Sequence, residues 1–229
     1  MKQEKVTLQG REFTVWTVNT VIVGTGAAGW NAADNLFNLG QEDLVIVTEG
    51  VNMGTSRNTG SDKQTYYKLG LGFQSDAIGA MAQTLFDGGA MDGPNALVEA
   101  ALSAKGFLHL SDIGVPFPQD QYGCFPGYVT DHDPAGRASS CGPYTSRYMT
   151  EKLEAEAKRW QVKMEDQLQV VELLTQGNRV VGVAALDLAM LKEQRIGFVY
   201  FLTAHVVYAV GASAGIYGAS VYPPSQWGA

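Results

Sequence analysis

Six consecutive residues near the amino terminus, Gly24-Thr25-Gly26-Ala27-Ala28-Gly29, carry the spacing G-x-G-x-x-G. Glycines so placed do three different jobs. The first permits a tight turn, the second lets the main chain approach a pyrophosphate with no Cβ in the way, and the third lets a helix pack close to a sheet. Free N–H groups at the helix start, at the positive end of its dipole, then face the phosphates. The motif has meaning only between a strand and a helix. Thr20 to Val23 is a continuous apolar run, as in a strand buried on both faces. Ala32, Ala33, Leu36, Phe37 and Leu39 recur at helical spacing, and Gly40 suits the stop. Residues 44–49, LVIVTE, give a second buried strand that ends in Glu49, 20 residues after Gly29. A carboxylate there accepts hydrogen bonds from ribose hydroxyls and repels a 2′-phosphate, which disfavours NADP. The bland alternative is a glycine-rich turn that binds nothing. Strand, glycines, helix, second strand and terminal acid together favour a dinucleotide site.

Other residue types with chemical potential are weaker. The polar stretch after Glu49 places Thr55, Ser56, Asn58, Thr59 and Ser61 among Gly54 and Gly60. Such a loop could wrap a long polar cofactor or lie solvated on the surface. Asp131-His132-Asp133 has metal-ligand or acid/base residue types. Adjacent residues diverge in regular structure, and Pro134 follows, so an exposed turn is the simpler reading. Arg137, in the same loop, is a candidate anion contact. His109 falls on a helical pattern and His205 at the start of an apolar strand, and both read as structural. Cys124 and Cys141 make no disulfide framework and match no zinc spacing, so no metal site is expected.

The elements that must position these residues follow from composition and pattern. At 229 residues the chain is one large domain or two small ones. A net charge of −7 argues against nucleic acid and against an anionic membrane surface as partner. The N-terminal MKQEKVTLQG lacks the apolar core of a signal peptide. The most apolar stretch, 198–221, is broken by a His and by glycines, and reads as buried strand plus loop rather than a membrane span. A reducing cytoplasm is the default setting. The first twenty residues suggest a hairpin around a Gly. Residues 20–49 form a βαβ unit, 50–74 a loop, 76–87 and 94–112 helices, and 115–142 mostly loop. A helix follows from Pro143, then strands at 162–166, 168–174, 179–186, 197–203 and 205–210.

Three blocks together resemble the FAD-dependent fumarate reductase/succinate dehydrogenase flavoprotein family, in a branch of FAD-binding oxidoreductases. They are NTVIVGTGAAGWNAADNLFNLG with IVTEG, GTSRNTGSDKQTYYKLG, and HVVYAVGASAGIYGASVYPPSQWG. The resemblance implies an α/β, Rossmann-like FAD-binding domain: a parallel sheet with helices on one face and a β-meander on the other. It implies that Gly24, Gly26, Ala27, Ala28 and Gly29 hold the pyrophosphate and Glu49 the adenosine ribose. Thr55, Ser56, Asn58, Thr59, Gly60 and Ser61 would line the flavin side. Val170, in the meander-like VVELLTQGNRVVGVAAL, would offer backbone groups to adenine, and Ala209 and Gly211 would approach the adenosine end. The His that bonds covalently to flavin in succinate dehydrogenases has no counterpart in Ser56-Arg57-Asn58-Thr59, so FAD is expected to be non-covalent. Ala209-Val210-Gly211-Ala212 stands where the family carries A-T-G-G. Arg57 and Lys63 flank the loop, where a cation would raise the flavin reduction potential.

The implied activity is hydride transfer between flavin N5 and a small organic acid of fumarate/succinate type. Family members run longer, so 1–229 is expected to be the N-terminal part of the FAD-binding domain. A substrate-capping domain and a flavin-closing segment would be absent, and no catalytic residue is carried over. The alternatives are a non-catalytic truncated fragment and an NAD(H)-binding oxidoreductase domain.

Overall fold

The computed structural model describes residues 1–61, 64–70 and 76–220. In chain order the elements are β1 (Lys2–Leu8), β2 (Arg11–Val23), α1 (Ala27–Asn38), β3 (Leu44–Val47), α2 (Thr55–Asn58), β4 (Tyr66–Tyr67), α3 (Ile78–Asp87) and α4 (Gly93–Asp112). They continue with β5 (Tyr128–Thr130), β6 (Asp133–Ser139), α5 (Thr145–Arg159), β7 (Lys163–Glu165), β8 (Leu168–Gln176), β9 (Arg179–Asp187), α6 (Leu188–Lys192) and β10 (Phe198–Tyr208). They fall into two compact units. The first joins Met1–Asn58 to Leu153–Ala229, and the second is Thr59–Lys152.

In the first unit the expected hairpin and the expected βαβ strand are one element. Gln9 and Gly10, both at positive φ, turn β1 into the 13-residue β2. The first half of β2 pairs antiparallel with β1, and its last four residues run parallel to β3. On its other side β2 is paired in parallel with β10, from Val199↔Thr14 to Tyr208↔Val23. The runs 197–203 and 205–210 are therefore a single strand. The sheet order is β7-β3-β2-β10-β9-β8. Its centre is parallel, and β8, β9 and β10 form the antiparallel meander.

Strand alternation assigns the two faces. Val21, Val23, Val45 and Val47 share one apolar cluster with Leu168, Val183 and Ala185 of the meander. Ile22 and Ile46, of opposite parity, are fully buried on the other face, and α1 packs against β2, β3 and β10. Trp160, just beyond α5, stacks on Phe37 of α1 at 4.7 Å and donates to the buried Asp34 carboxylate at 2.9 Å. Gly40, at φ +86°, ends the helix as its sequence position suggests.

The second unit packs α3 against α4. Asp92 caps α4 by accepting from the Asn95 N–H at 3.0 Å, with Pro94 in the first turn. Its small sheet, β4-β6-β5, occupies ground read from sequence as loop. Asp133–Ser139 has no apolar alternation to announce a strand, and its pairing with Tyr66 and Tyr67 is a tertiary contact. The short α2 and α6 also lie outside the sequence reading. Among the described residues no helix is long and apolar enough to cross a membrane.

Candidate cofactor site

The carboxyl ends of β2, β3 and β10 meet at the glycine turn, the usual location for a ligand in an open α/β sheet. The Gly24 N–H donates to the Val47 carbonyl at 2.9 Å, and the Ala209 N–H donates to the Val23 carbonyl at 2.9 Å. The turn is thus stitched to the strands on both sides.

Its three glycines answer to different constraints. Gly24 sits at φ +106°, and a Cβ there would lie 2.5 Å from the Ala209 carbonyl oxygen. A Cβ on Gly29 would collide with the Gly24 carbonyl. Gly26 is different. Its φ is −75°, open to any residue, and among the described residues a Cβ there meets no atom within 4 Å. Neither the backbone angle nor any described neighbour demands glycine at that position.

Gly26 is also the residue from which α1 begins. The first helical hydrogen bond runs from the Trp30 N–H to the Gly26 carbonyl at 3.1 Å. The N–H groups of Ala27, Ala28 and Gly29 therefore have no partner within the helix. Among the described residues no side chain caps this end, and its first turn holds no acidic residue. The first turn of α1 itself thus offers no charge to offset the positive end of its dipole.

Over this turn opens a cavity of about 740 Å³, within the size range of small-molecule sites. Gly24, Gly26, Ala27, Ala28, Glu49, Thr55, Ser56, Asn58, Val170, Ala209 and Gly211 all line it. Gly29 lies behind the turn, where the helix touches the sheet. Thr59, Gly60 and Ser61 belong to the second unit. There the Ser61 N–H donates to the Pro143 carbonyl at 3.0 Å, and Gly60 fits against the Tyr144 ring. The Glu49 carboxylate is exposed at the end of β3.

Two contacts at the site carry no sequence signal. The Thr25 and Thr48 hydroxyls share a buried hydrogen bond at 2.9 Å, and Thr25 also reaches the Gly50 carbonyl at 3.2 Å. They fasten the glycine turn to the end of β3. The Asn58 amide donates to the carbonyls of Asn52 and Gly54, at 2.8 and 3.0 Å, and so holds its own loop closed.

Arg57, Arg137, Asp133 and His205 depart from expectation. Arg57 does not line the cavity; its guanidinium forms an ion pair with Glu154 on α5. Lys63 lies outside the described residues. Arg137 is no anion contact. Nε and Nη2 donate to Asp76 at 2.8 and 2.7 Å, and Nη1 donates to Asp133 at 2.7 Å, with the arginine 4 % exposed. Asp133 is accordingly buried rather than displayed on a turn. The hydrogen bond from Arg137 holds the Asp76 carboxyl at about 2. Among the described residues no group of acids, histidines and cysteines could hold a metal ion. His205 is mid-strand and exposed, and His109 is half-buried on α4.

Comparison with solved structures gives the fold. An E. coli quinol fumarate reductase FrdA variant superposes with a TM-score of 0.71 at 16% identity, over 89% of this chain and 34% of that one. Mycobacterium smegmatis Sdh1 gives 0.76 at 15% identity, over 93% and 37%. A 3-ketosteroid-delta4-(5alpha)-dehydrogenase from Rhodococcus jostii RHA1 gives 0.63 at 18% identity, over 88% and 48%. The chain spans about a third to a half of the length of these proteins. A search of curated proteins finds no match. The family model described as FAD binding domain matches residues 19–228; with nearly its whole length covered, the chain belongs to that family.

Proposed function

We propose that this chain is the FAD-binding part of an oxidoreductase, and that the cavity over Gly26 takes the diphosphate of FAD. The observation that carries the reading is Gly26 itself. Glycine costs unfolded-state entropy, and here neither φ nor any neighbouring atom among the described residues requires it. A ligand pressed against the bare main chain does require it.

The residues present fit that group. The N–H groups of Ala27 and Ala28 would donate to phosphate oxygens at the uncapped start of α1. Glu49 would accept from ribose hydroxyls, and the main chain of Val170 would meet adenine. Thr55, Ser56 and Asn58 would border the remaining length, with Ala209 and Gly211 closing the adenosine end. Bound FAD supplies the two-electron redox chemistry. The chain's own contribution is a cradle whose donors are fixed beforehand, because Thr25–Thr48 and the two strand-to-turn hydrogen bonds set its shape.

The substrate on this reading is a small organic acid of fumarate/succinate type. Its support is the three-block sequence resemblance and the fold shared with a quinol fumarate reductase. No acid or base of this chain is assigned to the reaction. Residues 1–229 would serve FAD binding as a whole, and a cytoplasmic setting accords with two unpaired thiols, Cys124 and Cys141. The glycine turn and Glu49 would serve NAD(H) equally well, and it is the family match that favours FAD.

Purification tests the reading. The expected product is a yellow protein with flavin absorbance. No His occurs among residues 55–61, so acid precipitation should release FAD quantitatively into the supernatant. Flavin retained in the pellet would overturn the non-covalent assignment. A colourless protein that binds NADH and not FAD would overturn the cofactor assignment.

A further inference from the structure

The loop that borders the cavity is held from behind. α2 is a single four-residue turn, far below the length at which a helix persists unaided. Thr55, Ser56 and Asn58 line the cavity, and Arg57, between them, does not. Arg57 instead reaches Glu154 on α5, and both side chains are largely buried, at 14% and 11% exposure. Lys158, one turn further along α5, also contacts Glu154, at 2.7 Å. Burial pushes the Glu154 carboxyl up, but its bonds to Lys158 and Arg57 outweigh that and hold it below its ordinary value. Glu154 is therefore a fixed anion to which α2 is tied by one guanidinium.

We propose that Arg57 and Glu154 are positioning residues for the cofactor: the pair orients α2 so that Thr55, Ser56 and Asn58 face the bound dinucleotide. This rests on the FAD reading for its ligand but not for its mechanics. A charge-assisted hydrogen bond between largely buried partners is strong enough to order a turn of this length. Replacing the Glu154 carboxylate by an amide removes the charge from this bond while keeping its shape.

The test uses the whole chain, with and without FAD, and the variants Glu154→Gln and Arg57→Lys. In the unliganded protein, Glu154→Gln is expected to raise amide hydrogen exchange at residues 54–58 about tenfold, an effect confined to that loop. With FAD, fluorescence titration is expected to show about tenfold weaker binding in Glu154→Gln. Arg57→Lys keeps a cation opposite Glu154 and should bind within about threefold of the unchanged chain. Unchanged exchange at 54–58 in Glu154→Gln would overturn the proposal. So would faster exchange in which Arg57→Lys is as damaged as Glu154→Gln across the whole chain, the mark of general destabilisation. If the unchanged chain binds no FAD, the proposed function falls, and exchange at 54–58 still decides whether the pair orders α2.

Discussion

Gly26 and Gly29 are three positions apart in one motif, yet the structure separates their roles. A Cβ at Gly26 meets no described atom within 4 Å, so Gly26→Val should stay folded, losing only the modest advantage of Gly over Val at a helix start, and lose FAD binding. A methyl at Gly29 runs into the Gly24 carbonyl. Gly29→Ala should therefore lower stability by about 1–3 kcal/mol, the usual cost of overpacking. Urea unfolding and FAD fluorescence titration, measured on both variants, give opposite patterns if this is right. A folded Gly26→Val that binds FAD normally would remove the diphosphate from this turn. The glycines and Glu49 were legible because their spacing is local. Thr25–Thr48 and Arg57–Glu154 were not, since each joins residues from different elements, and an isolated threonine or arginine advertises no partner.

At the scale of elements, legibility followed burial pattern. β3, with four buried residues in a row, and α1, with its helical period, stood out. β6 did not, because its place is fixed by the Arg137 ion pairs and by pairing to β4, both of which need distant residues in position. That dependence has a measurable consequence. The Arg137 hydrogen bond holds the Asp76 carboxyl at about 2, against an ordinary 3.8. A carboxyl depressed in the folded state adds stability above its unfolded value and loses it as pH falls through the folded value. The second unit should therefore lose about 2 kcal/mol between roughly pH 5 and pH 2 through this group. Asp76→Asn should be less stable at neutral pH and show a flatter acid limb in urea titrations at stepped pH. An unchanged acid limb in Asp76→Asn would mean that other carboxylates govern acid unfolding.

The molecule as a whole places its cavity in a unit assembled from both ends of the chain. β2 is made early and β10 late, and the turn at Gly24 is complete only when Ala209 arrives to pair with Val23. Such long-range pairing is slow to form because loop closure must precede any gain in contacts. The second unit, by contrast, is one continuous segment with its own helical pair. A ligand that binds only the native state stabilises by RT ln(1 + [L]/Kd), about 2.7 kcal/mol at a hundredfold excess over Kd. If the cavity of the first unit is the FAD site, that stabilisation must appear first where the cavity is built. Hydrogen exchange with saturating FAD should slow at residues 21–30, 44–49 and 205–211 by up to about a hundredfold. Exchange in the core of α3 and α4 should change far less. Equal protection throughout would show that the two units open together. Protection confined to α3 and α4 would place the ligand outside this cavity altogether.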